Sequence, residues 1–117
     1  MIITENKKIN QKIYTEILDN GMKIIVIPNA NTKKKYIIWA TKFGSIDNHF
    51  YDPITHKEMK VPDGVAHYLE HKMFEQESGI DSLYTLMALG LDANAYTTND
   101  HTAYLFSGTD NFYKGLD

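Results

Sequence analysis

The sequence predicts an α+β fold in which helices pack on one face of a mostly antiparallel sheet. Runs of β-branched and aromatic residues lie in both halves of the chain, and two helical patterns lie between them. Asn20-Gly21 and Asn99-Asp100 each mark a hairpin, which joins antiparallel strands. The chain has 117 residues, of which 43% are hydrophobic, so it is long enough for the core of one domain.

The first predicted elements are strands. Residues 12–18 and 22–28 are the two arms of the first hairpin, and residues 36–43 are a third strand rich in aromatic and β-branched side chains. Residues 44–63 contain two prolines and many polar residues, so we expect a long loop there.

Two helices are predicted in the centre of the chain. The first is capped by Asp63 and continues to about Gly79, with an apolar face formed by Val65, Leu69, Lys72 and Met73. The second begins at Ser78 or Asp81 and ends at Gly90. Helical spacing predicts that both contribute to the core, through Met73, Phe74, Leu83, Leu86 and Met87.

Two more strands, residues 93–98 and 101–107, complete the pattern. Asp110 then predicts the start of a last helix, of which the chain contains about two turns before Asp117. We therefore expect residues 1–117 to be the N-terminal part of a single domain that is truncated at its C-terminus.

The composition argues against several classes of protein. The chain has no cysteine, which excludes disulfides and thiolate ligands within these residues, and its net charge of −3 argues against binding nucleic acid. No apolar run approaches the roughly 20 residues that cross a bilayer, and the first residues lack the apolar segment of a secretory signal. We expect a cytoplasmic protein with no membrane or nucleic-acid partner.

One motif predicts a chemistry. His67, Glu70 and His71 form the pattern H-x-x-E-H, which brings all three side chains to one face of a helix. Two imidazoles and a neighbouring carboxylate are what a catalytic zinc site needs. With this composition, about 0.01 chance matches are expected, so the pattern is specific. The remaining histidines lie in a predicted loop or hairpin, and we expect none of them to bind the metal: His49, His56 and His101.

Two separated segments resemble the pitrilysin family of zinc peptidases, which includes insulin-degrading enzyme and the mitochondrial processing peptidases. Residues 64–74 are similar to the zinc-binding segment of that family, an inverzincin motif. Residues 89–97 resemble its second signature, Gly-x-x-x-Asn-Ala-aromatic-Thr, and residues 101–104 resemble the strand that follows. The lead-in at residues 61–64 is similar to that of the bacterial members.

The resemblance implies a zinc-dependent metalloendopeptidase that hydrolyses extended peptides. It implies that His67 and His71 bind zinc, that Glu70 is the general base, and that an edge strand receives the substrate through Asn94, Ala95, Tyr96 and Thr97. It also implies that a third ligand, a glutamate, lies beyond Asp117, together with the rest of the catalytic domain and a second homologous domain or subunit. We expect residues 1–117 alone to be inactive.

Two alternatives remain open. A non-catalytic peptide-binding subunit of the same family is one, although such a subunit has no need of an intact His/Glu/His triplet. The other is a metalloenzyme similar to S-ribosylhomocysteine lyase, which has H-x-x-E-H on a similar fold and a cysteine as third ligand. A downstream glutamate or cysteine distinguishes the peptidase from the lyase.

Overall fold

The computed structural model of the chain describes residues 1–76 and 79–116. The chain divides into two compact units, Met1–Lys33 and a second unit that starts at Lys34. No helix in the described ranges is long and apolar enough to cross a membrane. Antiparallel sheets and two helices make up the regular structure, in agreement with the predicted α+β class.

The first unit is a three-stranded antiparallel sheet. It consists of β1 (Ile2–Asn6), β2 (Gln11–Ile17) and β3 (Lys23–Val26), with β2 in the middle. The turn between β2 and β3 contains Gly21 at φ +83°, a left-handed conformation that glycine adopts without a steric penalty. This confirms the Asn-Gly hairpin, whereas β1 was not predicted.

In its described residues, the second unit contains five strands and two α-helices. In chain order they are β4 (Lys35–Thr41), β5 (His49–Asp52), β6 (Lys57–Lys60), α1 (Val65–Lys72), α2 (Ser82–Ala88), β7 (Asp92–Thr97) and β8 (Thr102–Gly108). Strands β4, β8 and β7 form one antiparallel sheet in that order, and β5 and β6 form a separate hairpin. The hairpin of β7 and β8 and the strand β4 agree with the prediction.

The long loop predicted at residues 44–63 is partly wrong, because it contains β5 and β6. Each strand has only four residues, and the turn between them uses His56 at φ +54° rather than a glycine. Neither the length nor the turn gives a strong hairpin signal.

The first helix differs from its prediction at both ends. Its N-cap is Gly64 at φ +86°, and Asp63 instead accepts a hydrogen bond of 3.0 Å from the side-chain amide of Asn48. The helix ends at Lys72, well before Gly79. The Asp63 side chain is thus hydrogen-bonded to the loop that precedes the helix instead of capping the helix.

The second helix agrees with its prediction. The Asp81 carboxylate accepts a hydrogen bond of 2.8 Å from the Leu83 N–H, as an N-cap does. Gly90, at φ +78°, follows the last turn. The alternative start, Ser78, lies outside the described residues.

The buried core lies between α2, the sheet and the C-terminal turn. Its buried members are Leu91, Ala93, Phe106 and Phe112, and Ile37, Leu83, Leu86 and Leu89 pack against them. Met73 and Met87 are 62% and 56% exposed, so predicting them as core was wrong. The buried residues of α1 are Ala66 and Glu70, and this helix contacts β7 and β8.

The last predicted helix is a short 3₁₀ turn. It spans Phe112–Gly115, and its N-cap is Asn111 rather than Asp110. The Asn111 amide donates a hydrogen bond of 3.1 Å to the Leu89 carbonyl, which connects this turn to the end of α2.

Candidate metal centre

Two histidines on α1 bring their ring nitrogens together. His67 and His71 are one helical turn apart, their side chains are exposed, and their Nε2 atoms lie 3.0 Å from each other. The ring centroids are 4.8 Å apart. With Glu70 they form a group whose potential ligand atoms all lie within 4.8 Å of one another. The helix therefore gathers the three residues that the motif predicted.

The geometry and chemistry of the group fit a zinc ion. Two ligands of a tetrahedral ion at 2.0–2.1 Å stand about 3.3 Å apart, and the two Nε2 atoms are within a few tenths of an ångström of that separation. Imidazole nitrogen and carboxylate oxygen are both donors that zinc accepts. Because both rings are exposed, an ion can reach them from solvent.

Glu70 differs from the two histidines in its burial. Its side chain is only 7% exposed, and its Oε2 accepts a hydrogen bond of 2.6 Å from the Thr97 hydroxyl on β7. The Thr97 oxygen is 3.3 Å from that of Thr102, whose hydroxyl donates to the Phe43 carbonyl at 2.8 Å. The carboxylate is therefore held by the sheet, whereas the histidines face outward.

Tyr104 on β8 lies near this carboxylate. Burial raises the pKa of its phenol, and the negative charge of Glu70 raises it further. Its ring packs edge-on against Phe74 at 5.6 Å between centroids. Tyr104 therefore stays neutral at physiological pH and adds no charge beside Glu70.

The predicted substrate strand is β7, which lies at an edge of its sheet. Among the strands that the structure describes, β7 pairs with β8 alone. Asn94 and Tyr96 are exposed, whereas Ala95 and Thr97 are half-buried on the opposite face. The Ala95 N–H donates a hydrogen bond of 2.9 Å to the side-chain oxygen of Asn94, so this N–H is not paired with β8.

The hydroxyl pair of Thr97 and Thr102 was not predicted as a support for Glu70. The two residues are directly opposite in the β7–β8 register. The Asn99-Asp100 hairpin could have given that pairing from the sequence. Contact with Glu70, 27 residues earlier, depends on how α1 packs and has no sequence signal.

The other histidines lie elsewhere. His49 is on β5, His56 is in the β5–β6 turn, and the His101 Nδ1 is 2.7 Å from an Asp100 carboxylate oxygen. None of the three belongs to the His67–Glu70–His71 group, in the part of the chain that the structure describes.

Comparison with known proteins identifies the family. Residues 55–117 match the family described as Insulinase (Peptidase family M16). This match covers more than half of the chain and includes α1 with its three motif residues. The chain therefore belongs to the insulinase family of peptidases.

Similar proteins extend the match to nearly the whole chain. The chain is 42% identical over 114 residues to "Uncharacterized zinc protease YmfH" of Bacillus subtilis, and the match covers 97% of this chain and 26% of that protein. It is 32% identical over 106 residues to "Probable zinc protease PqqL" of Escherichia coli, covering 84% of this chain and 10% of that protein.

A solved structure has the same fold. The crystal structure of a "putative M16-like peptidase" from Alicyclobacillus acidocaldarius superposes with a TM-score of 0.82 at 36% identity, covering 98% of this chain and 26% of that one. The chain thus spans about a quarter or less of the length of these relatives.

Proposed function

We propose that the chain is part of a zinc-dependent metalloendopeptidase that hydrolyses extended peptides. The observation that carries the proposal is the pair of exposed histidine nitrogens 3.0 Å apart, with the buried Glu70 carboxylate on the same helix. Two findings support it. The chain belongs to a peptidase family, and the relatives are named as zinc proteases.

His67 and His71 would hold the zinc through their Nε2 atoms. When bound, zinc polarises the scissile carbonyl and makes a water molecule more acidic. If Glu70 serves as the base, a third protein ligand has to come from another part of the protein, because the described residues offer no further group of donors at this site. We propose a glutamate beyond Asp117.

Glu70 would act as the general base. Its carboxylate takes the proton of the attacking water and afterwards gives it to the leaving amine. The hydrogen bond from Thr97 keeps one oxygen, Oε2, occupied, which leaves Oε1 available for this proton. On α1, metal binding would therefore fall to the two exposed histidines and proton transfer to the buried carboxylate.

The edge of β7 would bind the substrate. An extended peptide can add to an unpaired strand edge through main-chain hydrogen bonds, which favours extended substrates without requiring one sequence. The Ala95 N–H can donate to such a strand once its hydrogen bond to the Asn94 side chain is broken. The exposed ring of Tyr96 offers an apolar contact for a substrate side chain.

We also propose that α1 and α2 share one face of the β4-β8-β7 sheet. Ala93 packs in the core that includes Leu83 and Leu86 of α2, and Thr97 contacts Glu70 of α1. Residues 93 and 97 are on the same side of a strand, because side chains alternate.

The complete catalytic unit would need more than this chain. We propose that residues 1–117 belong to one catalytic domain, which the remainder of that domain and a second homologous domain or subunit complete. Relatives that are about four times as long support this view. Residues 1–117 by themselves would then be inactive.

Hydrolysis of an internally quenched, unstructured peptide by the protein that contains this chain tests the proposal. We expect turnover that a chelator abolishes and that zinc restores. Glu70→Gln should lower kcat by about 100-fold or more, since general-base catalysis contributes about 10²–10⁴-fold, while zinc remains bound. A matched control is Glu58→Gln, at a carboxylate on β6 that is 79% exposed, which should leave kcat unchanged.

Two results would contradict this function. Peptide turnover that Glu70→Gln leaves intact would remove Glu70 from the chemistry. A wild-type protein that binds zinc and peptide but does not cleave the peptide would instead be a binding subunit.

A further inference from the structure

We infer that Thr97 is a positioning residue for Glu70, and that its side chain holds the general base rather than the substrate. The Thr97 hydroxyl lies 2.6 Å from Glu70 Oε2, across the contact between β7 and α1. The catalytic consequence of this inference rests on the proposed peptidase function. The structural consequence, a fixed Glu70 carboxylate, does not depend on it.

The distance and the donors assign the direction of this hydrogen bond. A carboxylate only accepts hydrogen bonds, and a threonine hydroxyl has one proton to donate. Thr97 is therefore the donor and Glu70 the acceptor. O–H donors to carboxylates stand at about 2.5–2.7 Å, the short and strong class of hydrogen bond. Glu70 is 7% exposed, so this donor replaces part of the water that the carboxylate loses on burial.

A second threonine packs beside Thr97. Thr102, which is 2% exposed, lies directly opposite Thr97 in the β7–β8 register, with 3.3 Å between the two hydroxyl oxygens. Thr102 has a shorter hydrogen bond of its own, to the Phe43 carbonyl at 2.8 Å. The side chain of Thr97 is β-branched and therefore stiff about χ1, which favours a hydroxyl that stays directed at Glu70.

This arrangement connects the substrate strand to the base. Thr97 is half-buried on the face that α1 covers, whereas the neighbouring Tyr96 is 40% exposed on the other face. The main chain of β7 remains free to pair with a peptide, while the side chain of Thr97 fixes the carboxylate. The base and the peptide backbone are thus positioned by the same strand.

The experiment compares Thr97→Val, Thr97→Ser and wild type in the zinc-loaded protein that contains this chain. Valine keeps the shape and removes the hydroxyl, and serine restores the hydroxyl. A hydrogen bond to a charged group is worth about 10- to 100-fold. We expect Thr97→Val to lower kcat by about that factor, with KM changed less than about twofold and with zinc content unchanged. Thr97→Ser should recover most of kcat.

Thr98→Val is the matched control. Its hydroxyl interacts with Asp100 and His101 in the hairpin turn, away from Glu70, so kcat should not change. A rise in KM at constant kcat in Thr97→Val would make Thr97 a substrate contact and overturn the inference. Loss of zinc, or a Thr97→Ser variant as slow as Thr97→Val, would overturn it as well.

Crystal structures of wild type and Thr97→Val separate this inference from the proposed function. We expect the Glu70 carboxylate to leave its position or to become disordered in Thr97→Val and to keep its position in Thr98→Val. A carboxylate that stays in place without the Thr97 hydroxyl would overturn the positioning role, whether or not the protein cleaves peptides. Absence of peptide cleavage by wild type, with Glu70 displaced in Thr97→Val, would reject the peptidase function and support the positioning role.

Discussion

Glu70 and the two histidines are neighbours on one helix but have opposite environments. His67 and His71 are exposed, while Glu70 is buried against the sheet. Burial of a carboxylate is costly unless hydrogen bonds compensate it, and here the Thr97 hydroxyl does so. This division suits a site in which the histidines receive an ion from solvent and the carboxylate is held still.

The grouping of these three residues is predictable from the sequence. The spacing of His67, Glu70 and His71 predicts their grouping, because positions i, i+3 and i+4 meet on any helix. Their individual burial was not predictable. It depends on which side of α1 the sheet covers, and the contact between Glu70 and Thr97 spans 27 residues.

Because of the Asp100 carboxylate, part of the folding stability should be lost at acid pH. The hydrogen bond from His101, and then that from Thr98, hold the pKa of Asp100 below its ordinary value. A lowered folded-state pKa means that this stabilisation is complete above the ordinary aspartate value of about 4 and is lost as the pH falls below it. Asp100→Asn should therefore lose less stability than wild type between about pH 5 and pH 2.

Urea unfolding midpoints at pH 7 and pH 3 measure this difference. Asp19→Asn, which removes a carboxylate from the β2–β3 turn, serves as a control for the change in net charge. Equal acid sensitivity of wild type and Asp100→Asn would show that the Asp100 hydrogen bonds contribute nothing to it.

Among the elements, the hairpins with local turn signals were predicted, whereas the β1–β2 and β5–β6 hairpins were not. Gly21 adopts the positive φ that an Asn-Gly turn requires, so β2 and β3 follow from the sequence. The β5–β6 turn uses His56 at positive φ, and its strands have four residues each, so the sequence resembles a loop.

The face of α1 shows a different limit. Hydropathy favours burial of Leu69 and Met73, yet these are 45% and 62% exposed, and the sheet covers Ala66 and Glu70 instead. A carboxylate becomes a good interior group only when a specific donor meets it. Hydropathy patterns contain no information on that donor.

The free edge of β7 leads to a test with modified substrates. In a peptide that pairs with β7, main-chain N–H groups point at the strand at every second residue. A single N-methyl group at such a residue removes one hydrogen bond, worth about 0.5–1.5 kcal/mol, so KM should rise about 2- to 10-fold. We expect a scan of N-methyl positions along one peptide to show KM rising with a period of two.

The residues between the affected ones are the internal control of that scan, since their N–H groups point away from β7. A uniform effect at every position, or no effect anywhere, would contradict strand addition. The scan uses wild-type protein, so it does not depend on a variant that folds.

At the scale of the whole molecule, the chain contains the His67–Glu70–His71 group but spans only a small part of its relatives' length. It covers 26% of the Bacillus subtilis relative and 26% of the Alicyclobacillus acidocaldarius structure. The antiparallel sheets and the grouping of His67 and His71 could be predicted from this segment, because they depend on contacts within it. The third ligand that we propose would come from outside this segment, so the segment contains no sequence signal for it.

The central claim is that α1 holds a catalytic zinc ion through His67 and His71. Its most direct measurement is the zinc content of the purified protein that contains this chain, beside His71→Ala and the control His49→Ala on β5. We expect one zinc per chain in wild type and in His49→Ala, and none in His71→Ala. One zinc per chain retained in His71→Ala would contradict it, since the metal would then be bound elsewhere.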